Sequence, residues 1–390
     1  MIKRSTLIGI VVLSGGAVGA MLAMPGCSSS SDSGGTPAPT YTSTVPPARP
    51  AAGTGTGTKW FAVNGLKLGV TKKGTNTSDP NAWKDYGYDL DGRNTTADDS
   101  KTSNNSCKRI SGSPTGILAD GNNGIDNNFG AHVMATIKSL KSDAEESVNN
   151  SIIGGSFTLL LKIDNATDGA DSTKSPGSLY VANNFADGKS PPTFTAADVW
   201  KVNAASLADG TSLSNPKLTF PNAYISNGYW VSGDFGTGTI NLSISLSGAD
   251  ISLPIDSGII TVKLSDGSDG TIAGAMNTGK LKDALTPVAK KFGICPGNAT
   301  YDQVVSTLTQ SADLVSGAPK LQDPTVECTA ISIALGFTMK PTGEPKEVIP
   351  TPPPSGTDDC SGADGGTDGG TDSGSDAGTD SGASDTGAGG

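Results

Sequence analysis

A mainly β fold, an antiparallel β-sandwich or barrel-like domain with a small helical cap, is predicted for residues 59–345. Three observations predict it. Aliphatic and polar residues alternate over short runs, Gly, Asn and Asp separate those runs, and the strand–helix alternation of a parallel sheet is missing. The cleanest run is Ile240-Asn-Leu242-Ser-Ile244-Ser-Leu246, whose period of two puts every aliphatic on one face. Ile251-Ser-Leu253-Pro-Ile255 follows after Gly248-Ala-Asp250, and Ile260-Thr-Val262-Lys-Leu264 runs up to Asp266-Gly267. Phe157 to Ile163 and Ile331 to Met339 repeat the pattern upstream and downstream. Short strands separated by turn residues predict antiparallel pairing.

Helices are few. Residues 132–148 put Val133, Ile137, Leu140, Ala144 and Val148 on one stripe. Residues 279–292 align Leu281, Leu285 and Val288, with a bend expected at Pro287. Thr300-Tyr-Asp-Gln303 is a capping-box pattern opening a helix with Val304, Leu308 and Val315 that closes at Gly317. The last two form the expected cap.

The flanks are of different composition. Lys3 and Arg4 precede an apolar and small-residue stretch over 7–24, then Met24-Pro25-Gly26-Cys27 and a polar run, the order of a cleavable signal peptide over 1–26. Gly26-Cys27 at that place resembles the lipobox of bacterial lipoproteins, departing from it at Met24 and Pro25. The resemblance implies lipidation of Cys27 and attachment to the bilayer through N-terminal acyl chains; two chains suffice for stable anchoring. Ser28 after the cysteine resembles the outer-membrane sorting pattern. Residues 27–58 are a Pro/Thr/Gly-rich linker, expected to act as a spacer.

Residues 346–390 are a Pro-rich hinge and an acidic tail expected to be disordered. From Ser355 onward the tail holds eight aspartates and no basic residue, so the net charge of −11 leaves only −3 for the other 354 residues. The acidity therefore describes a tail, and with no basic patch a nucleic-acid partner is not expected.

Four cysteines remain once Cys27 is assigned to lipid: Cys107, Cys295, Cys328 and Cys360. An exported chain favours disulfides, with three connectivities open, and no C-x-x-C spacing argues for a metal. Cys295 and Cys328 flank the capped helix, and the expectation is that they pair, closing a loop worth about 3–4 kcal/mol. Cys107 and Cys360 are the remainder. The single histidine, His132, stands at a helix start, and G-x-S-x-G is missing, which leaves no basis for a serine triad or a histidine-rich zinc site. No catalytic residue is assigned.

One constellation is left. Gly87-Tyr-Asp89-Leu-Asp91-Gly-Arg-Asn94 and Asp120-Gly-Asn122-Asn-Gly124-Ile-Asp126-Asn-Asn-Phe-Gly130 place side-chain oxygens on alternate residues around glycines, with Asp98 and Asp99 between them. Calcium takes six to eight hard oxygen ligands, so Asp89, Asp91, Asn94, Asp120, Asn122 and Asp126 are candidate calcium ligands. The EF-hand's closing bidentate Glu is missing, and the same residue types serve ordinary tight turns.

These two segments, with the cysteine between them, resemble a recurrent block in an uncharacterised family of predicted myxobacterial cell-envelope lipoproteins. Gly270-Thr-Ile-Ala-Gly274 and Gln322-Asp-Pro-Thr-Val-Glu-Cys328-Thr-Ala-Ile-Ser-Ile resemble its later part. The resemblance covers about residues 59–340; it implies an envelope location and no particular activity.

Two functions follow as expectations. The first is an anchored, non-catalytic binding or structural module, with envelope polysaccharide or a surface protein as partner and with calcium in its loops. The second is a secreted glycan hydrolase using two of Asp89, Asp91, Asp120 and Asp126 as paired carboxylates. Trp60, Trp83, Trp200 and Trp230 are available as sugar platforms or, as expected for most, as core.

Overall fold

The alternating runs form strands where the pattern places them. A computed structural model describes residues 41–98, 105–113, 116–166, 169–236, 238–246, 249–291, 293–317, 321–351 and 360. Cys27, the signal segment, Asp99 and the tail beyond Cys360 lie outside the described residues.

In chain order the described strands are β1 (Thr58–Lys67), β2 (Cys107–Lys108), β3 (Phe157–Asp164), β4 (Gly177–Asn183), β5 (Lys201–Asn203), β6 (Leu218–Phe220) and β7 (Tyr224–Ser226). They continue with β8 (Tyr229–Val231), β9 (Thr239–Leu246), β10 (Ala249–Lys263), β11 (Gly270–Asn277), β12 (Asp323–Glu327), β13 (Ala330–Pro341) and β14 (Glu347–Ile349). The helices are α1 (Met134–Leu140), α2 (Ala144–Ile153), α3 (Thr278–Lys291) and α4 (Ala299–Gln310). Strand outweighs helix, as predicted.

Twelve strands make one sheet in the order β14-β5-β4-β3-β1-β13-β11-β10-β8-β7, with β6 added on β4 and β9 on β10. All its pairs are antiparallel except β14 on β5. The sheet curls back on itself: Ser172 and Ile225 exchange two backbone hydrogen bonds of 2.9 Å, joining β7 to the residues just ahead of β4. The predicted barrel-like form therefore closes through β6 on β4 and this short pair just ahead of it.

Period-two alternation fills one face of this ring with aliphatics: Phe61 and Val63 of β1, Leu159, Leu161 and Ile163 of β3, and Ile333, Leu335 and Phe337 of β13. Val148 and Ile152 of α2 and Leu281 of α3 pack against this face. On the opposite face, β11 and β13 present Ala273, Ala275, Ala330 and Ala334, side chains short enough for Tyr86, Tyr88 and Leu90 to lie against the sheet. That packing positions the first acidic loop.

Several expectations change. The single helix expected over 132–148 is broken: one π-helical turn leads into α1, Lys141 is extended, and α2 restarts after Asp143. Glu145, at the start of α2, accepts from the Leu68 N–H at 2.7 Å and from the Thr71 hydroxyl, so a tertiary bond to the segment after β1 outweighs a continuous stripe. The cap of α4 is Asn298 rather than Thr300, its Oδ1 accepting from the Tyr301 N–H at 2.7 Å. That helix stops at Gln310 because Leu314 pairs with Ala330 instead. α3 does retain Pro287 within it.

The disulfides differ from expectation as well. Cys328 is bonded to Cys107 and Cys295 to Cys360, so the expected Cys295–Cys328 bridge is replaced. The reason is the small parallel pair of β2 with β12, where the Cys328 N–H donates to the Lys108 carbonyl and brings Cys107 alongside. Lastly, the spacer expected over 27–58 is docked on the domain from Tyr41 onward, and β14 lies inside the expected hinge, paired with β5.

Candidate metal centre

The two acidic loops, far enough apart in sequence to be independent turns, are laced into one structure. The Asp126 N–H donates to the Tyr88 carbonyl at 3.0 Å, and the Leu90 N–H donates to Asp126 Oδ2 at 2.7 Å. Gly87, at φ 124°, lets the first loop lie flat on the alanine face; a Cβ there would stand 2.8 Å from that of Ala334. In the second loop Asn123 and Gly124 take left-handed conformations, and the Gly121 N–H donates to the Ile125 carbonyl at 2.7 Å. Gly124 backs directly onto the Asp89 carboxyl.

Three predicted ligands converge. Asp89, Asp91 and Asp126 each offer an oxygen, and these oxygens all lie within 4.8 Å of one another. The residues are 2%, 1% and 2% exposed. Asp89 Oδ1 accepts from the N–H groups of Gly92 (2.6 Å) and Arg93 (3.2 Å), and its Oδ2 from the hydroxyls of Tyr41 (2.7 Å) and Ser43 (2.6 Å). Asp91 accepts from the Arg93 N–H at 2.8 Å and from the Ser106 hydroxyl. Asp120 lies near enough for its charge to act on Asp126, and its Oδ2 accepts from the Thr95 N–H.

The electrostatics follow from burial. Desolvation, and then the neighbouring charges of Asp91, Asp120 and Asp313, push the Asp126 carboxyl well above the ordinary range. Desolvation followed by the Asp91 charge lifts Asp120 to about 9, and desolvation raises Asp91. Like charges held this close in a buried place favour either protons or a bound cation. The donors are hard carboxylate oxygens without nitrogen or sulfur, the set for calcium or magnesium rather than a softer metal.

Of the other predicted ligands, one faces away from the group. Asn122 is exposed, and its Nδ2 donates to Asp85 at 2.6 Å, on the outside of the loop. Asn94 is half-buried, and Asp98 is exposed. The His132 imidazole, on the turn before α1, has its pKa lowered by burial. Trp200 and Trp230 are fully buried and Trp60 and Trp83 half-buried, in keeping with core packing for most of them.

Other residues near the centre escaped sequence reasoning. Asp313, on the segment after α4, is held up to about 7 by desolvation and accepts from the Ser332 N–H at 2.7 Å. Asn127 and Asn128 fasten the second loop to β13: Asn127 Oδ1 accepts from the Ala334 N–H, and the Asn128 N–H donates to the Ser332 hydroxyl. These are structural bonds inside a motif that looked like ligands. The one signal for Tyr41 was an aromatic ring in a low-complexity stretch.

A groove of about 1070 Å³ lies elsewhere, between the 70–78 turn and α2, with Lys67, Glu145, Asn149 and Asp269 on its walls. None of the four predicted carboxylates lines it. Paired carboxylates that cleave a glycan need a cleft, whereas Asp89, Asp91 and Asp126 are covered. In comparisons with known proteins, no family model, curated protein or solved structure matches the chain.

Proposed function

We propose that the chain is an envelope lipoprotein anchored through Cys27, whose barrel-like ectodomain is a non-catalytic binding or structural module with a calcium ion locking its loops. The convergence of Asp89, Asp91 and Asp126 within 4.8 Å, buried and under the charge of Asp120, carries this reading. A divalent cation there neutralises charges that burial otherwise leaves to repel, and Asp89 links it to Tyr41 and Ser43. The ion would act on stability rather than on chemistry. Two disulfides agree with an oxidising compartment outside the cytoplasm. The resemblance to myxobacterial envelope lipoproteins, and the order of basic residues, apolar stretch and Cys27, support the anchor.

Thermal melting of the purified chain with chelator and with millimolar calcium tests the centre. Calcium is expected to raise the Tm and Asp126→Asn to remove the response. An unchanged Tm in the native chain would sink the calcium reading. Mass spectrometry of the N-terminus tests the anchor separately, an unmodified Cys27 being the outcome against it.

A further inference from the structure

We infer that residues 41–57 form a latch across the seam of the barrel, with Arg49 as its pin, so that undocking this strap frees β7 from the segment ahead of β4. This goes beyond the calcium reading and needs no ion.

The seam is a short joint: β6 pairs with β4 over three residues, and β7, three residues further on, meets the segment ahead of β4 more sparsely. Where β1 and β13 share a long register, β7 and the residues beside it meet the 171–175 segment through the Ser172–Ile225 pair, the Ser175 N–H donating to the Ala223 carbonyl at 2.7 Å, the Asn227 N–H donating to Asp171 Oδ1 at 2.8 Å and the Trp230 indole donating to the Ser175 carbonyl at 2.9 Å. Arg49 bridges the two sides. Its Nη1 donates to the Thr173 carbonyl at 2.7 Å, on the β4 side, and its Nη2 to the Asn222 carbonyl at 2.7 Å, on the β7 side. The guanidinium also stacks 4.4 Å from the ring centre of Tyr224 in β7 and pairs with Asp234 at 2.9 Å.

Neighbouring strap residues repeat the bridging. The Tyr224 hydroxyl donates to the Pro47 carbonyl at 2.7 Å, while the Gly53 carbonyl accepts from the Thr173 N–H at 3.1 Å. Gly53 lies so flush that a Cβ would meet the Asp171 carbonyl oxygen at 2.1 Å. A planar fork with donors at fixed spacing suits two carbonyls on separate strands, which a lysine ammonium on a flexible stem does not. The strap thus holds both halves of the seam, and its release loosens both together.

Hydrogen exchange on the full chain tests the latch through the amides of Ser172, Ser175 and Ile225. Arg49→Gln is expected to speed their exchange by roughly tenfold or more while residues 331–339 of β13 stay as protected as in the native chain. Asp234→Asn, which removes the ion pair and leaves both carbonyl bonds, is expected to leave the seam unchanged. Should Arg49→Gln not fold, Arg49→Lys keeps the charge without the fork and is expected to loosen the same three amides. Native protection of the seam in the Arg49 variant, loosening of β13 along with it, or equal loosening in Asp234→Asn would each overturn the inference.

Discussion

At Gly124 the backbone takes φ 77°, and an added Cβ would lie 2.6 Å from the Arg93 carbonyl oxygen and 3.2 Å from the Asp89 carboxyl carbon. Gly92 has the same φ with open space around it. Gly92→Ala is therefore expected to cost about 1–2 kcal/mol, the left-handed penalty alone. Gly124→Ala is expected to cost more and to weaken the calcium response, both read from melting curves. Titration gives a further expectation. Burial raises Asp91 and Asp126, holds Asp120 at about 9 and Asp313 at about 7, all above an unfolded value of about 4. Protons on such groups favour the folded state, so their contribution is full below about pH 4 and is lost as pH rises through the folded values. Without metal the Tm is expected to fall from pH 5 to 9, and added calcium is expected to raise it more at pH 9 than at pH 5. An equal calcium shift at both ends would count against the centre. Alternating oxygens made Asp89, Asp91, Asp120 and Asp126 legible in sequence. Asn122 shared that spacing yet faces outward, because spacing does not say which side of a turn is inside. Asp313 had no such neighbourhood and drew no attention.

Among the elements, long strands were readable and short ones were not. β3, β9, β10 and β13 carry enough alternation to define a face, whereas β5 to β8 have three residues each and are fixed by what they pair with. The strap was misjudged for a related reason: its Pro, Thr and Gly residues carry no hydrophobic period, and its docking rests on main-chain carbonyls, Arg49 and Tyr41. Disulfide pairing was beyond reach because β2, which carries Cys107, is two residues long. The two bridges are expected to behave differently. Cys107–Cys328 spans 221 residues and Cys295–Cys360 spans 65, worth about 5 and about 4 kcal/mol in the chain-entropy model. The first joins β2 to the end of β12, and the second ties Cys360 to the residues after α3. Replacing Cys107 and Cys328 by serine is expected to lower the Tm by more than replacing Cys295 and Cys360. Equal losses would mean that loop length is not the governing quantity.

For the whole molecule, the acidic tail and the domain are expected to be energetically separate. Ending the chain after Cys360 removes six aspartates and keeps both disulfides, so the Tm is expected to hold. A drop would show that the domain uses the tail. The position of β13 bears on a different question, the time at which the barrel can form. β13 sits between β1 and β11, and its register sets Phe61 opposite Pro341. The first strand of the ring therefore waits for one of the last before the ring can close. Folding with such non-local pairing is slow, on the order of milliseconds to seconds, and stopped-flow refolding of the disulfide-intact chain is expected to fall in that range. Until residue 341 has left the ribosome the central pairing cannot form, so the ring closes only when nearly the whole domain has been made.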